Sequence, residues 1–178
     1  RRTAILLGLL AWLAIGMEIW SSAPRGTGLL PEPGLWPAVV GLHALVLLLF
    51  LACQFLEPRE ATRRWLVWAQ VAIALLMIAS ARYTSVPVLL IIAMAQNAQL
   101  YSPRWLAAIF LGVNTATYLI FRFTWQASAP GLFLAINSSF QLFAMMTSWY
   151  AVTAERSRDA LVAANADLLA TRSLLAES

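Results

Sequence analysis

The sequence predicts an all-α membrane protein: a six-helix transmembrane bundle, N-in/C-in, whose last helix continues into a cytoplasmic coiled coil. Three observations lead there. Of 178 residues, 61% are hydrophobic and only 11% charged, against about 25% charged in an average soluble domain. The apolar residues fall into six runs separated by turn and charge signals. Finally, the last 47 residues contain neither Gly nor Pro, yet change abruptly in composition after Val152. A soluble fold of this size still presents a large surface to water and could not hide so much apolar area. Six spans of about 20 residues use roughly 120 residues, leaving the rest for short loops and one tail.

The spans read from the sequence are Thr3–Trp20, Trp36–Leu56, Trp65–Ala81, Val86–Leu100, Trp105–Phe121 and Gly131–Tyr150. The first begins after Arg1-Arg2 and ends near Ser21-Ser22-Ala23, so a signal peptide is the alternative reading. Its apolar stretch is longer than a usual signal core, and Pro24 would obstruct cleavage, which favours a retained helix. The turns at residues 80–87 and 101–104 are short, so the third, fourth and fifth spans are expected as antiparallel neighbours. The fourth is the shortest and carries Gln96, Asn97 and Gln99.

Charge supplies the orientation. The basic residues are all Arg, and with the N-terminus inside, nine lie on the cytoplasmic side: Arg1, Arg2, Arg59, Arg63, Arg64, Arg104, Arg156, Arg158 and Arg172. Only Arg25, Arg82 and Arg122 lie outside, the asymmetry expected of the positive-inside rule. Aromatic residues mark the same boundaries, with Trp20, Trp36, Tyr83 and Trp125 at one and Trp65, Trp68, Tyr101, Trp105, Trp149 and Tyr150 at the other. Arg64-Trp65-Leu66 recurs as Arg104-Trp105-Leu106 after 40 residues. A duplicated hairpin would produce this, and so would two independent interfacial anchors; the second is the simpler reading.

The sixth span does not stop at the membrane. Residues 151–178 form a helix-favouring mixture of Ala, Leu and charged side chains, a separate cytoplasmic unit from the bundle of residues 1–150. At 1.5 Å per residue this extension would project about 42 Å. Leu161, Leu168 and Leu175 are spaced by seven, with Ala164, Thr171 and Ser178 as companion seam positions. That recurrence predicts a left-handed parallel dimer, marginal alone because half the seam is small or polar. An amphipathic helix lying on the membrane is the alternative, weakened because Arg156, Arg158 and Arg172 are offset by four acidic residues.

Several chemistries are excluded. One Cys and one His permit neither an intrachain disulfide nor a two-His metal site or HExxH protease. No Gly-rich phosphate loop occurs, and the Arg placement assigns the net charge of +4 to the membrane rather than to nucleic acid. Intramembrane ionisable groups are functional candidates by default. Glu18, His43, Arg82 and Arg122 fall in one outer layer, where a Glu18–Arg or Glu18–His43 network could respond to ligand, pH or lipid. The simpler reading has the Arg pair snorkelling and His43 bonding a carbonyl. Asn137 and Gln141 lie on the helix that leaves the bundle; with Gln70, Gln96, Asn97, Gln99 and Asn114 they either fasten helices or line a polar slit.

The segment ALVAANADLLATRSLLAES, Ala160 to Ser178, resembles the juxtamembrane helix of DesK-like sensor histidine kinases. The resemblance implies a membrane input region feeding a two-helix signalling coil in a homodimer. The phosphoacceptor and ATPase domains would follow downstream, with ATP and Mg as the parent's cofactors and a response regulator as its partner. It further implies the inner membrane of a bacterium, both termini cytoplasmic, with the bilayer itself as a partner. No cofactor and no catalytic residue is expected within these residues. A small transporter or permease component is the alternative, and it would call for broken helices and a charged site at mid-membrane. An intramembrane enzyme lacks a nucleophile–base pair or paired carboxylates.

Overall fold

The computed structural model describes residues 2–21, 35–56 and 59–177, with side chains at residues 5–21, 35–56 and 59–172. Readings that fall on Arg1, Pro24, Arg25, Glu57 and Ser178, or on the side chain of Leu175, lie outside the described residues. The described residues form helices joined by turns, without a strand: α1 Arg2–Ser21, α2 Trp36–Phe55, α3 Glu60–Ser80, α4 Val88–Asn97, α5 Pro103–Leu119 and α6 Pro130–Glu177. A π-helical turn, Ile120–Thr124, extends α5.

Helix starts follow local chemistry. Pro37 and Pro103 occupy the first turns of α2 and α5, where a missing N–H breaks no intrahelical bond. Arg59 is extended before α3, whose first turn is braced by Glu60 and Arg64 at 2.6 Å. The apolar-run reading began α3 at Trp65 and α5 at Trp105, because the charged first turn of each is invisible to an apolar criterion. Both helices extend beyond the greasy run.

Among the described residues, three helices are long and apolar enough to cross a membrane: Trp36–Phe55, Glu60–Ser80 and Pro103–Thr124. Ile5–Ser21 and Val88–Asn97 are apolar but shorter. The first part of α6 is uncharged for 24 residues, from Gly131 to Ala154.

α4 is the packed centre. Its ten residues rise about 15 Å, half the thickness of a hydrocarbon core. It lies most extensively against α6, next against α3, and touches α1 on a third side. Leu90, Met94 and Asn97 are fully buried, and Val86, Ala98 and Leu100 in the flanking turns are buried too; burial in protein is the condition under which irregular backbone is tolerated at membrane depth. Contrary to the hairpin expectation, α5 packs against α6 and the end of α3 rather than along α4; α3 and α6 have already taken the sides of so short a helix. Between α2 and α4, its two main neighbours, α3 buries Val67, Val71, Ala74 and Ile78 at helical spacing.

Close approach of α1 and α2 depends on glycine. A Cβ at Gly8 would stand 2.5 Å from the Phe50 ring, and one at Gly16 would stand 3.1 Å from His43 Nε2. Helices in lipid gain little from hydrophobic segregation, so such small-residue contacts carry their association.

Candidate functional site

Four ends of the bundle meet in one tier. Glu18, in the last turn of α1, receives the backbone N–H of Thr84 at 3.0 Å and of Ser85 at 2.9 Å. It also accepts from the Thr84 hydroxyl at 2.9 Å and from the Ser85 hydroxyl. These donors sit in the turn before α4, so one carboxylate caps that turn from another helix. Backbone N–H groups outside a helix need such an acceptor, while α4's own leading N–H groups go to carbonyls of the turn, Val88 to Ser85 at 2.9 Å and Leu89 to Val86 at 3.0 Å. Tyr83, in the same turn, is buried. Burial pushes its phenol up, and the neighbouring Glu18 carboxylate pushes in the same direction.

The same tier joins α3 to the π-helical turn. Arg82 donates to the carbonyl of Thr124 at 3.1 Å, and the Trp125 indole N–H donates to that of Ile78 at 2.7 Å. Arg122 lies over the Phe123 ring at 5.9 Å. Gln126 closes this corner at φ 50°, in the left-handed region that non-glycine residues rarely enter.

His43 has a different partner. Its ring stacks on Trp12 at 4.5 Å with 4° between the planes. The bonding is reciprocal: Trp12 Nε1 donates to the His43 carbonyl at 2.9 Å, while His43 Nε2 lies 3.1 Å from the Trp12 carbonyl. A carbonyl only accepts, so Nε2 carries the hydrogen and Nδ1 is left as an acceptor. The stack forms one wall of a groove of ≈ 860 Å³ between α1 and α2, bounded by Gly16, Trp20, Trp36 and Val40. The Trp36 indole N–H is spent on the Ile19 carbonyl at 3.1 Å, so that wall offers ring surface rather than a donor.

The structure therefore gives Glu18, His43, Arg82 and Arg122 separate partners instead of a shared ionic network. Glu18 takes hydroxyls and amides, His43 takes an indole, and Arg82 takes a backbone carbonyl. The partners Thr84, Ser85 and Trp12 were not singled out from the sequence. For Ser85 a signal existed, since Ser-Val-Pro reads as a helix start; for Trp12 there was none.

Amides occupy the interior. Gln70 donates to Gln96 at 3.1 Å and to Cys53 Sγ at 3.7 Å, joining α2, α3 and α4. Asn114 of α5 donates to Gln141 of α6 at 3.0 Å. Asn137, one turn earlier on α6, is half-buried, and its Oδ1 has no partner among the described residues. At the opposite end, Arg63 donates to Gln99 at 2.7 Å and Arg64 lies over the Tyr101 ring at 5.2 Å. A second, more polar cavity of ≈ 350 Å³ opens there between Glu60, Tyr101, Trp149, Thr153 and Arg156, where α6 leaves the bundle.

Beyond that point every residue from Thr153 to Arg172 is exposed, including Leu161, Ala164, Leu168 and Thr171. Among the described residues no group of three or more His, Cys, Asp or Glu side chains is placed to hold a metal ion. Comparison with protein-family models, curated proteins and solved structures finds no match.

Proposed function

We propose that this chain is the input and transmission region of a two-component sensor histidine kinase of the DesK-like kind. It crosses the bacterial inner membrane six times with both termini in the cytoplasm. The bundle reads the state of the bilayer or a ligand within it, and α6 passes the reading to a dimeric coil.

One observation carries the reading. α6 is a single helix of 48 residues that passes the bundle's buried amides at Gln141 and continues as a rod whose side chains, Leu161 and Leu168 among them, are exposed from Thr153 to Arg172. A rigid element with one end in a polar core and the other in a marginal seam converts rotation or shift into a change of register, for which a few kcal/mol suffices. The nine-to-three Arg asymmetry supports the orientation. α4 completes its crossing with the turns at residues 86–87 and 98–101. ATP and Mg belong to the parent's catalytic domains, and a response regulator takes the phosphoryl group.

The test is to read the coding sequence beyond Ser178 and assay the encoded protein with labelled ATP. An E-x-H-D-like motif that becomes phosphorylated on histidine supports the proposal. A stop codon, or a downstream domain without that activity, overturns it.

A further inference from the structure

Two contacts fix the register of the α5–α6 hairpin. Asn114 meets Gln141 at 3.0 Å. Further along α5 the Phe121 ring meets that of Phe133, earlier on α6, with centroids 6.1 Å apart. The two helices therefore run antiparallel, and between these levels Thr117 comes level with Asn137. Asn114 and Thr117, three apart, share one face of α5, while Asn137 and Gln141, four apart, share one face of α6. Four polar side chains thus stand around one space, closed on one side by two aromatic rings. Thr117 and Gln141 are 0% exposed and Asn114 is 7% exposed.

The amide orientations follow from a chain of bonds. Asn114 Nδ2 donates one hydrogen to the Phe110 carbonyl at 2.9 Å and the other to Gln141 Oε1. Turning Asn114 over would set oxygen against oxygen at Phe110, and turning Gln141 over would set donor against donor. Asn114 Oδ1 is therefore left as an acceptor and Gln141 Nε2 as a donor. Both atoms, and Asn137 Oδ1, are buried without a partner among the described residues. Thr117 does not serve them, because its hydroxyl hydrogen goes to the Val113 carbonyl at 2.9 Å. Two acceptors and one donor remain, and a buried polar group left unmatched is costly.

We infer that one water molecule is held between α5 and α6 at this level. It donates its two hydrogens to Asn114 Oδ1 and Asn137 Oδ1 and accepts from Gln141 Nε2. Three bonds are what a buried water typically makes. None of the four side chains is ionisable, so an ion would find no counter-charge here. A lipid hydroxyl has one hydrogen to give and would leave one acceptor unmatched. The site needs only the hairpin and is independent of the kinase reading. It also gives Gln141 a second link to Asn114, so the two helices stay bonded through water when the direct contact lengthens.

The experiment is nuclear magnetic resonance on the whole chain in lipid nanodiscs, with isotope-labelled glutamine, reading magnetisation transfer from water to the Gln141 side-chain amide. That signal is assigned by its loss in Gln141→Leu, and the Gln70 side-chain signal reports that each variant still folds. In rotating-frame spectra a bound water gives a cross-peak opposite in sign to the diagonal, whereas hydrogen exchange gives one of the same sign. The expected result is an opposed cross-peak at Gln141 Nε2. It should persist in Thr117→Val, which removes the hydroxyl as a relay. It should weaken several-fold in Asn137→Leu, which deletes an acceptor and fills the space. No cross-peak in the unsubstituted chain overturns the inference, as does one that vanishes in Thr117→Val and so belongs to the hydroxyl. Transfer from lipid protons in place of water puts a lipid group in the site and overturns it too. Full intensity in a folded Asn137→Leu overturns the three-bonded arrangement.

Discussion

Gln141 accepts a hydrogen bond from Asn114 at 3.0 Å, and Gln141 is 0% exposed on the one helix that also reaches far beyond the bundle. The bond clamps α6 to α5 between a polar core and a projecting rod. Any movement of the rod along or about its axis must stretch this contact or carry Asn114 with it.

Removing one side of the clamp should hurt more than removing both. Asn114→Leu leaves the Gln141 amide without its partner and is expected to lower stability by about 0.6–2 kcal/mol. Asn114→Leu with Gln141→Leu should recover much of that, because an absent polar pair costs less than an orphaned one. Thermal unfolding in detergent, arranged as a double-mutant cycle, measures the coupling. Additive losses would show that the two amides do not interact.

Glu18→Gln keeps the shape of the α1 cap and removes its charge. Hydrogen bonds to a charged acceptor contribute about 1.5–3 kcal/mol, and an amide replaces one acceptor oxygen by a donor facing other donors. Hydrogen exchange at the Thr84 and Ser85 amides should accelerate, more than at residues in the middle of α3. Unchanged protection at those two amides would show that α4's turn does not depend on α1.

The Tyr83 hydroxyl is buried without a partner among the described residues. Its phenol is pushed up by burial and by Glu18, so the folded state resists losing that proton. The unfolded chain ionises near the ordinary tyrosine value of about 10, and above that pH the unfolded state is favoured progressively. Stability should therefore fall as pH rises past that point. Tyr83→Phe should flatten that decline and cost nothing at neutral pH, since it deletes an unpaired group. A variant that unfolds with the same alkaline slope would place the titration elsewhere.

His43→Phe retains a ring against Trp12 and loses only the bond from Nε2. It is expected to cost about 1 kcal/mol. His43→Ala should cost about 2–4 kcal/mol by analogy with large-to-small changes at packed sites. Equal melting temperatures for the two variants would mean that the stack does not join α1 to α2.

The helices were legible because apolar runs, Trp anchors and the Pro-free tail are local signals. The shared tier of Trp36, Tyr83 and Trp125 followed from the same reading. Helix ends were clipped where charge begins, as at Glu60 and Pro103. The site was legible only as a set of polar residues. Glu18 meets Ser85 across 67 positions, and His43 meets Trp12 across 31; nothing in composition or periodicity pairs them. The electrostatic expectation for Glu18 failed because two backbone N–H groups and two hydroxyls already satisfy a carboxylate, leaving no need for an Arg. The central place of α4 was hidden as well. Its length counted against it, while its burial depends on neighbours from every part of the chain.

The central claim is that α6 leaves the bundle as half of a parallel pair. Electron paramagnetic resonance on the whole chain in membranes, with single spin labels at Leu161 and Leu168 and at Val162 and Leu169, tests it most directly. All four side chains are exposed in one copy, so exposure cannot produce a difference. A parallel seam places the labels at Leu161 and Leu168 across an axis separation of about 8–10 Å, predicting strong dipolar broadening there and weak broadening at Val162 and Leu169. Sharp, unbroadened spectra at all four positions would contradict the account.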